Sequence, residues 1–124
     1  MREFGQLESA IMDVVWSQDQ PLLVREVRDR LHYARPVAYT TVMTVMTILH
    51  GKGVLRREKQ GRAWRYWPHE QRAAHYARLM AEILRSGADT TVTIQDFVAL
   101  LTADELAAIR SALGPRPART AAAG

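Results

Sequence analysis

The chain has 124 residues and a mass of 14.0 kDa, is 48% hydrophobic, and carries 17 Lys+Arg against 13 Asp+Glu, a formal net charge of +4 with a pI near 10.0. That length suits one domain, or one small domain with an accessory arm, and it is too short for a barrel or doubly wound enzyme. The absence of cysteine excludes disulfide scaffolds, thiolate zinc sites and thiol redox chemistry, and fits a cytoplasmic protein.

No apolar run approaches about 18 residues, so no membrane span is expected. The opening MREFGQLES lacks the apolar region of a signal peptide. Leu7, Ala10, Ile11, Val14 and Val15 then fall at i, i+3, i+4, i+7 and i+8, which predicts an amphipathic helix from about Gln6 to Ser17. Asp19-Gln20-Pro21 breaks it. Val24, Val27 and Leu31 predict a second helix with charged residues on its outer face, ending before Arg35-Pro36. The segment Tyr39–Lys52 is rich in β-branched residues and has strand propensity. Its apolar positions Val42, Val45, Met46 and Leu49 nevertheless repeat with helical spacing over a run too long for a typical strand, so it reads as a third helix.

Gly51 and Gly53 punctuate that helix. Val54–Lys59 and Arg62–Trp67 read as two strands turning at Gln60-Gly61. Three helices and a hairpin in this order are the layout of a winged helix-turn-helix. Beyond Pro68 the chain becomes Ala-rich and purely helical. Tyr76, Leu79, Met80, Ile83 and Leu84 form one apolar stripe, ended by Ser86-Gly87. Ile94, Phe97, Val98 and Leu101 form a shorter one after a flexible stretch, Ser86–Thr93. Thr102 and Glu105 form a capping box that opens a last helix through Leu106, Ile109 and Leu113, stopped by Gly114-Pro115.

The charge is unevenly distributed. Residues 1–68 hold eleven Lys+Arg and seven Asp+Glu, whereas residues 69–124 hold six of each. Lys52 to Arg65 alone carries six bases and one acid, the electrostatic footprint of a surface for a polyanion. On the third helix, Thr40, Thr44, Thr47 and Gly51 share the face opposite the apolar stripe, with Met43 at its edge. Threonine is a poor helix former, so three on a solvent face carry a stability cost that contact with a major groove would explain. In the hairpin, Arg57, Lys59 and Arg62 are candidates for phosphate contacts, while Tyr66 and at least one tryptophan are expected to cover the core. His32, His50, His69 and His75 show no metal-ligand spacing, and no nucleophile–base arrangement is present, so no metal, cofactor, small-molecule substrate or catalysis is expected.

Leu7-Glu8-x-x-Ile11-Met12-x-x-x-Trp16, Val24-Arg25-Glu26-Val27 and Ala38-Tyr39-Thr40-Thr41-Val42-Met43-Thr44, with Lys52-Gly53 and Gly61-Arg62-Ala63-x-x-Tyr66, resemble the penicillinase repressor (BlaI/MecI) family of winged-helix regulators. The resemblance is strong over residues 4–68 and rests on layout alone to residue 113. It implies a cytoplasmic homodimer that represses transcription from a palindromic operator, of β-lactam-resistance or related genes. Thr40, Thr41, Thr44 and Thr47 occupy positions of the family's groove-reading helix. The resemblance also implies release by proteolysis downstream of a membrane sensor metalloprotease. The cut Asn-Phe bond of staphylococcal members corresponds here to Asp96-Phe97. Two departures stand out. Ile48 replaces a common arginine before Leu49, and the cysteine motif of copper-responsive relatives is missing.

The expectation is therefore a mainly α protein with a small β-hairpin wing: a winged-helix DNA-binding domain over 1–68, a helical dimerisation domain over 69–113 and a flexible tail over 114–124. Three short amphipathic helices in about 45 residues cannot enclose their own apolar faces. Tyr76, Leu79, Met80, Ile83, Leu84, Phe97, Leu101, Leu106 and Ile109 are accordingly expected to pack against a second copy. The competing reading is a winged-helix protein–protein interaction module whose wing meets an acidic partner.

Overall fold

The structure, a computed structural model, describes residues 4–115; most of the expected tail lies outside that range. The elements run α1 (Gln6–Trp16), β1 (Leu22–Leu23), α2 (Val24–Arg30), α3 (Tyr39–Gly51), β2 (Leu55–Gln60), β3 (Ala63–Pro68), α4 (Arg72–Ser86), α5 (Thr90–Ala99) and α6 (Ala103–Leu113). The chain divides between Ala77 and Arg78 into two compact units. The division falls inside α4 rather than at Pro68, where the composition changes.

In the first unit, α1–α3 bury Ile11, Met12, Val14, Val15, Val24, Val27, Val42, Met46 and Leu49 beneath a small antiparallel sheet. The helical reading of the third segment is confirmed: Val42, Met46 and Leu49 are fully buried, while Val45 is only partly covered. Met12, outside the predicted stripe of α1, is also fully buried. The sheet has three strands in the order β1-β3-β2, not two. Leu22 pairs with Tyr66 and Leu23 with Arg65, so the short run before α2 closes the open edge of β3. The hairpin turn lies one residue later than predicted. Gln60 pairs with Ala63, leaving Gly61 and Arg62 as the two-residue loop, and Gly61 has φ 65°, which a side chain would strain.

Local signals set the helix ends. Glu8 accepts the Gly5 amide at 3.0 Å and Glu26 accepts the Leu23 amide at 2.7 Å, each closing the first turn of its helix. The predicted Thr102–Glu105 box opens α6, with reciprocal bonds of 3.2 and 2.8 Å. The helix α5 starts earlier than its apolar stripe suggests and stops before Leu101. The reason is Asp89, whose carboxylate accepts the Val92 amide at 3.1 Å as the N-cap. The expected flexible stretch Ser86–Thr93 is thereby corrected to a short connection at Gly87–Asp89. A Cβ at Gly87 would lie 2.6 Å from Thr93 Oγ1, so a larger residue there would force the threonine side chain to shift.

The carboxylate of Glu8 also meets Lys52 Nζ at 3.0 Å, tying α1 to the end of α3. Burial opposes ionisation of Glu8, but the Gly5 amide and the hydrogen bond and charge of Lys52 outweigh it and hold its carboxyl below the usual glutamate range. A depressed folded pKa gives stabilisation that is complete above the unfolded value and is lost as pH falls through the folded one. Glu8→Gln should therefore cost about 0.5–1 kcal/mol near neutrality. Its gap from the parent should close as the pH falls through and below the usual glutamate range. Urea melts across that range check this, and a gap independent of pH would contradict it.

Candidate nucleic-acid interface

The third helix displays Thr40, Thr41, Met43, Thr44 and Thr47 to solvent. Its buried stripe faces α1, α2 and the sheet, so these side chains form the outer surface of the winged unit. Thr44 Oγ1 donates to the Thr40 carbonyl and Thr47 Oγ1 to the Met43 carbonyl, both at 2.9 Å. The hydroxyl protons are thus engaged within the helix. What remains for a partner is an oxygen lone pair and a γ-methyl on each side chain.

Between this face and the wing runs a groove of about 420 Å³. It brings together Met43, Thr44 and Thr47 from α3 with Arg57 and Arg62 from the hairpin. Thr40, Thr41 and Lys59 do not line it. Arg25, from the first turn of α2, does, although sequence periodicity marked it only as part of a charged outer face. The groove lining includes three arginines and no carboxylate. Ile48 is exposed on the same side and lines the groove too.

The wing side chains are organised by cross-strand register. Arg57 sits opposite Tyr66, and Lys59 opposite Trp64. Tyr66 is 1% exposed, as expected of a core residue, and its hydroxyl accepts from Arg57 Nη1 at 3.2 Å. The Arg57 guanidinium lies 4.1 Å from the Trp64 ring centre, and the Lys59 ammonium 5.5 Å from it. Arg57 is therefore half-buried and held in place, unlike the freely exposed Arg62 at the turn. Arg65, on the opposite face, is engaged with Gln60 and lies 3.8 Å from Glu26.

In α4–α6 the apolar side chains face outward. Tyr76, Met80, Ile83, Ile94, Phe97, Val98, Leu100 and Leu113 are exposed, Leu100 by 82%. Leu79, Leu84, Leu101, Leu106 and Ile109 are only half-buried, and α5 and α6 bury no residue fully. Asp96 and Phe97 lie within α5, with Phe97 42% exposed in the single chain. Among the described residues, no helix is long and apolar enough to cross a membrane.

The family model of the penicillinase repressors matches residues 4–114. The transcriptional regulator BlaI of Mycobacterium tuberculosis, in strains CDC 1551 / Oshkosh and ATCC 25618 / H37Rv, is 38% identical over 116 residues, covering 91% of this chain and 84% of the relative. The chain belongs to the penicillinase repressor family. Its relatives are transcriptional regulators rather than enzymes, and it is a regulator of that kind. The solution structure of the DNA binding domain of the repressor BlaI superposes with a TM-score of 0.50 at 25% identity, covering 57% of this chain and 85% of that one. The winged-helix architecture is thereby established for this penicillinase repressor family member.

The different settings of Arg57 and Arg62 separate their effects on stability. Arg57→Ala removes a cation–π stack and a hydrogen bond to a buried hydroxyl and should destabilise the winged unit by about 1–2 kcal/mol. Arg62→Ala should leave the melting midpoint within about 0.5 kcal/mol of the parent. Thermal and urea melts of the two variants test the distinction, and equal stabilities would contradict it.

Proposed function

We propose that the chain is a homodimeric, cytoplasmic DNA-binding repressor that grips a palindromic operator through the α3–wing groove and is released by proteolysis within its arm. The observation that carries this reading is the groove itself, where an uncharged threonine and methionine face adjoins Arg25, Arg57 and Arg62 with no acid among the lining residues. Short uncharged side chains on an exposed helix suit a major groove, where γ-methyls meet thymine methyls and oxygen lone pairs accept from adenine or cytosine amino groups. The arginines and Lys59 supply the phosphate-binding charge beside it. An acidic protein partner would be drawn by the same charge, but the threonine face would then have no purpose.

The second copy is supported by the exposed apolar faces of α4–α6, which a partner arm would cover. Two-fold symmetry of the pair would then match two half-sites. The regulated genes are proposed to be those of β-lactam resistance or a related function, under a membrane sensor metalloprotease, on the strength of family membership.

Thr44→Ala and Thr47→Ala should weaken operator binding by about 1–3 kcal/mol while leaving non-specific binding near the parent value. Arg62→Ala should weaken all sequences alike and flatten the salt dependence by about one unit. Binding isotherms on operator and unrelated duplexes at several salt concentrations separate the two classes. Unchanged operator affinity for both threonine variants would overturn groove reading by α3.

Release is proposed to follow cleavage between residues 86 and 101, with Asp96-Phe97 the family-equivalent bond. That bond lies inside α5, so a protease needs local unwinding of the short helix. Mass spectrometry of the protein from β-lactam-treated cells should show a fragment ending in this range. An intact chain under full derepression would rule the route out.

A further inference from the structure

The third helix carries none of the side chains that fork onto a base edge. From Tyr39 to Gly51 it holds no arginine, lysine, asparagine or glutamine, the residues that meet guanine or adenine through paired hydrogen bonds. The hydroxyl protons of Thr44 and Thr47 are donated to the carbonyls of Thr40 and Met43, so these threonines have none to offer a partner. At about 3.6 residues per turn, the outer face runs around the axis as Met43, Thr47, Thr44 and Ile48, in steps of about 40–60°. Met43 with Thr47, and Thr44 with Ile48, are neighbouring i, i+4 pairs. Met43 is 40% and Ile48 47% exposed, and all four side chains line the groove beside Arg25, Arg57 and Arg62. Tyr39, at the helix start, is the remaining side-chain donor that α3 contributes to that lining.

The core does not need Met43 and Ile48, because α3 closes it with Val42, Met46 and Leu49 on the opposite side. What the outer strip presents is carbon: the methyl ends of Met43 and Ile48, and a γ-methyl on each threonine. The apolar group that projects into a major groove is the thymine 5-methyl. We propose that Ile48 is a specificity-determining residue of this interface, forming with Thr44 an apolar subsite for one thymine 5-methyl group, while Met43 and Thr47 form a second. This rests on the DNA-binding reading above and deepens it. The helix selects its sequence through methyl groups, and the arginines beside it hold the phosphates. Cytosine, which lacks the methyl, leaves a subsite unfilled.

The test is selection of duplexes from a random library by the full-length parent, followed by replacement of each thymine of the recovered motif, one at a time, with uracil. Uracil keeps the pairing and the O4 acceptor and lacks only the 5-methyl group. Each duplex is then titrated with the parent, Ile48→Ala and Met43→Ala. For the parent, uracil should weaken binding about fourfold at two distinct positions of the motif, the factor expected for one buried methyl group. Ile48→Ala should bind thymine and uracil alike at one of these positions and keep the discrimination at the other. Met43→Ala should show the reverse, and it carries the test if Ile48→Ala folds poorly. A parent indifferent to uracil throughout would overturn the proposal while leaving DNA binding intact. A folded Ile48→Ala that discriminates as the parent does, or loses discrimination at every position alike, would overturn it too. A parent that selects no motif from the library defeats the DNA-binding reading first, and this inference with it.

Discussion

Apolar burial is concentrated in one part of this chain, and the rest of its organisation follows from that concentration. All thirteen buried hydrophobic side chains among the described residues lie from Phe4 to Tyr66. At about 1.5–3 kcal/mol for each such side chain taken out of water, they supply the main force against the chain entropy of the winged unit. The helices α5 and α6 contain no buried residue, yet each carries apolar side chains at helical spacing. A segment with well-capped helices and uncovered apolar faces is stable only when something else covers those faces. The division is therefore physical: one unit encloses its own core, and the other leaves its apolar faces exposed.

Within the winged unit, β3 is the organising strand. It lies between β1 and β2, and Tyr66 pairs with Leu22 on one side and Arg57 on the other. Burying the Tyr66 ring is tolerable because its hydroxyl has Arg57 as a partner. That same contact, together with the Trp64 stack, holds a guanidinium beside the outer face of α3. The wing's charge is thus not uniformly loose. Arg57 is fixed by the sheet, while the exposed Arg62 at the turn can adjust to a phosphate backbone. The threonines of α3 solve a related problem. Their return hydrogen bonds to Thr40 and Met43 satisfy the hydroxyls inside the helix and leave a face of low polarity without unsatisfied donors.

Much of this was legible in the sequence because the governing signals are local. Helical spacing of Val42, Met46 and Leu49 outweighed the β-branched content of α3, and the Thr102–Glu105 box marked the start of α6. The groove residues Met43, Thr44, Thr47, Arg57 and Arg62 were all named from face and charge. The strand β1 was not visible, since two residues show no alternation and gain strand geometry only from pairing with β3. The turn was misplaced by one because glycine signals a tight turn without saying which of its two positions it fills. The early start of α5 had a signal, an Asp89 cap ahead of Thr90-Thr91, but its stripe of large apolar residues begins later. The contacts of Trp16 with Glu70 and of His75 with Phe4 join positions more than fifty residues apart, and no periodicity encodes such pairs.

The first unit encloses its own core, and we propose that a second copy completes the arm. Sedimentation of the full chain and of a chain ending at Ala77, which keeps His75 against Phe4, tests it most directly. The account predicts a full-length dimer and a shortened form that melts cooperatively as a monomer, because its thirteen buried side chains are intact. A shortened form that still dimerises, or a full-length chain that stays monomeric at micromolar concentration, would contradict it.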